Sequence, residues 1–460
     1  MNENIIAVEK NISNVQSSIQ KKIELLQKHP NSALFETQKG FQDIDGNSSN
    51  LMIGLLLEIK LVNNKWEFFN EDIFQNYIKD CKNIMNREEL GIKEKFRKVL
   101  NLLDLPEDYP VVFILGYSAN RFFENISNFS INEEEPEVVI RVYQTIVEFN
   151  YTSEKNSKIR YLDVEGFEQT PTNVINLLRS QTKQSQKKSW YTGSIRNITD
   201  KNTFLNSVKI AKNYIRSGDI YQVQLSRLAK SNSQISPLKL FENLTKINPS
   251  PYMYYIDLGA NKIISSSPEL MIRITEDKAQ VRPIAGTKLK NSESKNISEI
   301  EKEKAEHLML VDLSRNDLSR CSKANSLKVP SFMEEEDYGS LVHLVSTIET
   351  TMDEKFDIFD ILSFNYPAGT MTGAPKIRAM EIINELEKNN PRGLFSGCAG
   401  YLSKDNMGTF ALTIRTVIGN QGNYSLQAAA GIVSDSDPYA EWEETGNKIN
   451  SFSKAFGGDF

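Results

Sequence analysis

The stretch from Gln280 to Leu318, QVRPIAGTKLKNSESKNISEIEKEKAEHLMLVDLSRNDL, passes without interruption from a strand-like segment through a polar loop into an amphipathic helix. Glu303, Glu306 and His307 stand at i, i+3 and i+4 and share one helix face, while Ala305, Leu308 and Met309 repeat that spacing on another. The spacing predicts a polar face free to do chemistry and an apolar face that packs. A second such helix is predicted near the C-terminus, where Asp437 reads as an N-cap and Pro438 as the first helical residue. There Glu441, Glu444 and Lys448, at i, i+3 and i+7, face one way. Two acidic faces and a cation suit a hard divalent ion with an anionic ligand, because magnesium takes one or two protein carboxylates and leaves its other positions to water and substrate oxygens. Either face taken singly is more often a solvated surface.

Composition narrows the ligand. The 460 residues are 25% charged and 39% hydrophobic, enough for a large core or two to three domains, and the formal charge of -6 argues against nucleic acid as the partner. Cys81, Cys321 and Cys398 are odd in number and lack C-x-x-C spacing, so neither a disulfide framework nor a zinc site is expected. The opening MNENIIAVEK carries acids where a signal peptide would be basic, and no apolar run reaches the roughly 18 residues of a membrane span. A cytoplasmic enzyme acting on a small molecule, away from membranes, is the expectation.

Along the chain, residues 1–30 read as a polar helix. Leu34-Phe35-Glu36-Thr37, Leu51 to Val62, Val111 to Leu115 and Val138 to Tyr151 read as strands, and Ile73 to Leu103 as helical. Residues 1–160 form a predicted N-terminal β-rich domain and 161–199 a linker, least patterned from Thr182 to Thr199. Residues 200–460 form a second domain. In that domain a helix over Thr203 to Ser217 ends at Gly218, a strand follows over Asp219 to Arg227, and strands at 252–258, 262–266, 270–275 and 278–284 form meanders. That order predicts an α+β fold. The acidic run Glu334 to Asp337 reads as a solvated loop.

Residues 366–387, YPAGTMTGAPKIRAMEIINELE, form a glycine-punctuated loop entering a helix at Pro375, a form that presents backbone N–H groups to an anion or is simply a turn. It fails the P-loop spacing, and G-x-G-x-x-G is absent. His343 lies in an apolar alternating run, the usual setting of a hydrogen-bonded core histidine. Arg415 stands in the apolar run FALTIRTVI and needs an anionic partner, structural or bound. The residues alone reach a magnesium-dependent site for a small anionic substrate, and no further.

PIAGT (283–287), EHLMLVDLSRNDLSR (306–320), GTMTGAPKIRAMEII (369–383) and EETGNK (443–448), in this order, resemble the chorismate-utilising enzymes. The likeness is strong over residues 195–455 and greatest to the branch that makes anthranilate. It implies a large antiparallel β-sandwich core surrounded by helices, with an N-terminal β-rich regulatory region. It implies that Glu306 and Glu444 hold Mg2+, backed by Glu303 and Glu441, and that the ion holds the ring carboxylate of chorismate. Arg415 and Tyr401 would fix the enolpyruvyl carboxylate, with Lys448 adding charge. Gly286, Thr287, Thr370 and the amides of Ala430 and Gly431 would complete the anion cradle, and His343 would be the acid or base near the leaving C4 hydroxyl.

Two positions discriminate within the resemblance. Gln222 stands where water-activating relatives carry lysine, and Ala285 where the aminodeoxychorismate-forming relatives carry a lysine nucleophile. Both point to direct amination by ammonia, supplied from glutamine by a separate glutamine amidotransferase subunit. Glu36 and Thr37, with Pro251, Tyr252 and Met253, resemble the two walls of a feedback pocket for L-tryptophan, which would couple to catalysis as a second site. The rival readings are an aminodeoxychorismate-forming enzyme, opposed by Ala285, and a catalytically idle tryptophan-binding subunit, opposed by the intact Glu306, His343, Arg415 and Glu444 set. Ala429 for a usual glycine, Gly446 inside a helix, Phe395 for a frequent tyrosine and a short 288–301 loop depart from the pattern.

Overall fold

The computed structural model describes residues 6–457 except 16, 39–40, 42–47, 127–128, 152–156, 165, 182–193, 291–295 and 339–340. Its backbone is organised by two long strands, Ser48–Val62 and Val138–Asn150, which pair antiparallel along their lengths. A register shift between Leu55 and Leu57, next to Gly54 at φ +73°, bends the pair, as an extra residue in one strand does. The bend lets the halves of each strand serve different leaves.

In the first leaf the early half of Ser48–Val62 pairs with Ala33–Glu36, and the order continues through Tyr252–Asp257, Lys262–Ser267, Thr416–Asn420 and Asn423–Ile432 to Gln222–Ser231. In the second, the early half of Val138–Asn150 pairs with Val111–Leu115, followed by Cys398–Leu402, Gly408–Leu412, Leu270–Thr275, Lys278–Val281 and Leu341–Thr351. Every one of these pairings is antiparallel. The leaves face each other: Tyr254 and Ile256 of the first share a core with Ile272, Phe410 and Leu412 of the second. Helices cover the outer faces, so the expected α+β architecture with an antiparallel sandwich core is what the chain adopts.

Within each leaf, strands from residues 1–160 and from 200–460 hydrogen-bond directly to one another, Ala33–Glu36 with Tyr252–Asp257 and Val111–Leu115 with Cys398–Leu402. Several local expectations differ. Residues 1–30 hold a strand, Ala7–Ile12, before a helix, Ile19–Lys28, because the charged-aliphatic alternation of AVEKNI also fits the period of an edge strand and Ser157–Leu162 offers it an edge. The segment 161–199 contains the helix Gln169–Arg179 and the strand Ile195–Asn197; its residues 182–193 lie outside the described part. Ile73 to Leu103 is two helices, Gln75–Met85 and Ile92–Leu102. The acidic run Glu334 to Asp337 is strand rather than loop, part of Lys328–Tyr338: Glu335 meets Lys288 at 2.7 Å and Glu336 pairs with Arg282, while Glu334 and Asp337 stay exposed to solvent. No helix among the described residues is long and apolar enough to cross a membrane.

Candidate active site

The helix Glu301–Ser319 forms as its sequence predicts, but turned about its axis. His307 is fully buried and Leu310 and Val311 nearly so, while Leu308, expected to pack, is 48% exposed. The face with Glu303, Glu306 and His307 is the inward one because His307 Nε2 and Ser346 Oγ, 2.7 Å apart, tie it to the strand Leu341–Thr351. That strand carries His343 three residues earlier. The second predicted helix is Pro438–Asn450, with Asp437 capping it through hydrogen bonds from the N–H groups of Tyr439 (3.0 Å) and Ala440 (2.9 Å).

Against the helix Glu301–Ser319 sits the PIAGT segment, strand Ile284–Leu289, paired with Leu341–Thr351. Ala285 opposes Leu344 and Thr287 opposes His343, which leaves Gly286 as an unpaired bulge residue at φ +65°. Its carbonyl oxygen lies 2.9 Å from His343 Nδ1. A Cβ at Gly286 would stand 2.5 Å from Ile297 Cγ2 and 3.0 Å from Glu303 Oε2, so only glycine admits both the backbone conformation and the carboxylate. Because a carbonyl can only accept, Nδ1 carries the proton and Nε2 is the acceptor nitrogen. Burial, with Arg415 and Lys448 nearby, pushes the His343 pKa down to about 4, so the ring is neutral near pH 7.

Glu303 and Glu444 lie close enough to Glu306 to repel it, and Glu441 lies beside Glu444. Burial, then the charges of Glu303 and Glu444, push the Glu306 pKa up to about 7. Glu441 is raised by burial and by Glu444. Gln222 Nε2 donates to Glu306 Oε1 at 3.3 Å, and a Cβ at Gly431 would meet Gln222 Nε2 at 2.3 Å and Glu306 Oε1 at 3.3 Å, so the bare backbone of Gly431 borders this carboxylate. Ala430 is buried in a cluster with Trp442. Among the described residues no three or more His, Cys, Asp or Glu side chains are gathered so that they alone could hold a metal ion. Mutually repelling, partly desolvated carboxylates nevertheless fit a hard cation that takes its remaining ligands from substrate and water. Lys448, expected to add charge at the substrate, donates to Glu444 Oε1 (2.7 Å) and Ala429 O (2.8 Å), since i,i+4 spacing puts Glu444 and Lys448 together.

Arg415 lies at φ +50° between two strands. Burial lowers its pKa, and its guanidinium has no ion pair or hydrogen bond among the described residues. A guanidinium in this setting is costly without an anionic partner. Tyr401, expected beside it, lies elsewhere: its hydroxyl accepts from Asn50 Nδ2 (3.1 Å) and its ring meets Phe35 edge-on at 5.4 Å. The strand alternation of Cys398–Leu402 turns Tyr401 between the leaves.

The loop 366–375 reaches the same region. Gly373 pairs with Val223 and Ala374 with Gln222, and Lys376 Nζ bonds Asp317 at 2.6 Å, fastening the helix Lys376–Leu386 to Glu301–Ser319. Thr370 is half-buried beside Glu269, its buried Oγ1 without a well-formed hydrogen bond among the described residues yet close enough to pull the Glu269 pKa downward. Burial dominates and pushes Glu269 up to about 8. Sequence reasoning passed over Glu269; the available signal was a single acid, SSSPEL, between two buried strand segments.

A cavity of about 90 Å3 lies between the leaves, lined by Glu36, Thr37, Tyr252, Met253, Arg273 and Tyr401 among others. Four of the five residues expected to bind tryptophan thus share one cavity, while Pro251 precedes the strand and is not among the lining residues. Glu36 is held by Lys22 Nζ (2.6 Å) and by Tyr151 OH (2.6 Å), partners the sequence did not reveal.

This sandwich, with its two carboxylate helices and glycine bulge, is the frame of a known class, and residues 31–454 match the model of the chorismate binding enzyme family; the chain belongs to it. It is 41% identical over 326 residues to anthranilate synthase component 1 of Aquifex aeolicus, covering 69% of this chain and 64% of that protein. It is 35% identical to aminodeoxychorismate synthase component 1 of Bacillus subtilis, covering 74% of each. The crystal structure of anthranilate synthase component I from Streptococcus pneumoniae superposes with a TM-score of 0.72 at 29% identity, over 89% of this chain and 93% of that one.

Proposed function

We propose that the chain converts chorismate and ammonia to anthranilate, pyruvate and water. The observation that carries the reading is Arg415, a desolvated guanidinium without an anionic partner among the described residues, whose charge is felt at His343. Chorismate is a dicarboxylate, and one carboxylate on Arg415 leaves the other for the cluster around Glu306. Glu306 and Glu444, backed by Glu303 and Glu441, would hold magnesium, which when bound supplies an electrophilic contact for the ring carboxylate.

The chain's own groups divide the proton work. Glu269, protonated below about pH 8, donates to the leaving C4 hydroxyl as ammonia bonds to C2, and water departs. Neutral His343, with Nδ1 turned to the Gly286 carbonyl, would accept the C2 proton at Nε2 in the second step, in which the C–O bond to the side chain breaks, pyruvate leaves and the ring becomes aromatic. Gln222 is a neutral amide hydrogen-bonded to Glu306, unable to deprotonate water, and Ala285 offers no nucleophile. Both favour ammonia over water and direct amination over a covalent intermediate.

Ammonia would come from a glutamine amidotransferase partner. L-tryptophan is the proposed occupant of the cavity between the leaves, its indole against Tyr252, Met253 and Tyr401. Incubating the purified chain with chorismate, magnesium and an ammonium salt, then separating the products, tests the activity. Anthranilate with pyruvate is expected, whereas a non-aromatic amino product, or no turnover, refutes the reading.

A further inference from the structure

Arg227 is 4% exposed on the strand Gln222–Ser231, and its Nε and Nη1 have no hydrogen-bond partner among the described residues. A guanidinium in that condition is costly unless something else receives it. Its Cζ lies 3.8 Å from the centroid of the Trp442 indole, a close cation–π contact, and Glu443 adds attraction. The third nitrogen explains an oddity of the sequence: a Cβ at position 446 would stand 2.6 Å from Arg227 Nη2. Glycine inside a helix is about 1 kcal/mol worse than alanine. Gly446 is tolerated here because the guanidinium occupies the space of its missing side chain.

Trp442 and Gly446 are one turn apart on the helix Pro438–Asn450. Glu444 falls between them in sequence, about 200° around the axis from each at 100° per residue, so it projects from the opposite side of the same turn. The strand that carries Arg227 also carries Gln222, whose amide bonds Glu306 at 3.3 Å. One strand therefore references both carboxylate helices.

We propose that Arg227 is a positioning residue: its guanidinium, wedged between the Trp442 ring and the bare backbone of Gly446, fixes the height of the C-terminal helix on the sheet and so the approach of Glu444 to Glu306. The inference rests on the reading that these two glutamates share a magnesium ion. Lysine cannot replace arginine here, since an ammonium neither stacks flat on an indole nor fills the same planar slot.

The test combines magnesium titration of the metal-free full chain by calorimetry with a thermal double-mutant cycle. Residues that orient metal ligands from behind change affinity by roughly 10- to 100-fold when replaced. Arg227→Met, which keeps the volume and removes a poorly partnered buried cation, is expected to leave the melting temperature equal or higher while weakening magnesium binding about tenfold, and Arg227→Lys is expected not to restore it. Gly446→Ala is expected to lower the melting temperature in the native background and raise it in Arg227→Met, where the obstructing nitrogen is gone. Unchanged magnesium affinity in Arg227→Met, or an equal effect of Gly446→Ala in both backgrounds, overturns the proposal. If the unsubstituted chain binds no magnesium, the shared-ion reading falls and takes this role of Arg227 with it; the titration of the native chain thus separates that failure from failure of the wedge.

Discussion

At the scale of single residues, burial sets protonation and protonation sets role. Glu269 and His343 are both desolvated, which favours the neutral form of each, but neutrality makes one an acid and the other a base. Because the Glu269 pKa is raised to about 8, its donor form is present below that pH and lost as pH rises through it. At a fixed concentration of free ammonia, kcat/KM should therefore fall above about pH 8. Glu269→Gln should lower kcat roughly 100- to 10,000-fold, the usual scale of general acid catalysis, and abolish that alkaline limb. Steady-state kinetics across pH checks both. Lys22 and Glu36 illustrate the opposite economy: side chains 0% and 6% exposed neutralise each other. Lys22→Met leaves a carboxylate buried without its cation and should destabilise the chain by about 3–5 kcal/mol in urea denaturation, whereas Lys22→Met with Glu36→Leu should recover most of the loss.

At the scale of elements, the glycine bulge of the strand Ile284–Leu289 joins sequence to site most directly. Gly286→Ala forces a side chain into the left-handed backbone region and against Ile297 and Glu303, and should cost about 1–3 kcal/mol, with a thermal melt as the check. Much at this scale was legible. The cap at Asp437-Pro438, the end of the helix Lys201–Arg216 near Gly218 and the strand at Leu51 to Val62 depend on local preferences that the chain displays openly. The rotation of the helix Glu301–Ser319 was not legible, because Glu303, Glu306 and His307 face inward only when a charged pocket and Ser346 wait across the gap. Tyr401 was misplaced for a related reason: which side of a strand faces which cavity depends on the leaf it joins. Arg227 and Gly446, and likewise Lys22 and Glu36, meet only in the folded chain, so no spacing in sequence announces them.

At the scale of the molecule, the bent pair Ser48–Val62 and Val138–Asn150 makes one hydrogen-bonded network of two facing leaves, and the cavity lined by Glu36, Tyr252 and Tyr401 lies between them. Its volume of about 90 Å3 is smaller than the roughly 150 Å3 engineered cavity that receives benzene. Entry of an indole amino acid would move Ala33–Glu36 and Tyr252–Asp257 against Cys398–Leu402, whose sheet leads through Gly408–Leu412 to the strands around Glu269. Tryptophan should therefore change amide exchange in these strands, not only at the cavity walls, and a footprint confined to the walls would remove the coupling. The central claim is that two helices distant in sequence lend Glu306 and Glu444 to a single ion. Anomalous diffraction from crystals soaked in manganese addresses it directly: one peak within ligand distance of both carboxylates is predicted, lost in both Glu306→Gln and Glu444→Gln, and a peak that survives either substitution, or lies away from these residues, contradicts the account.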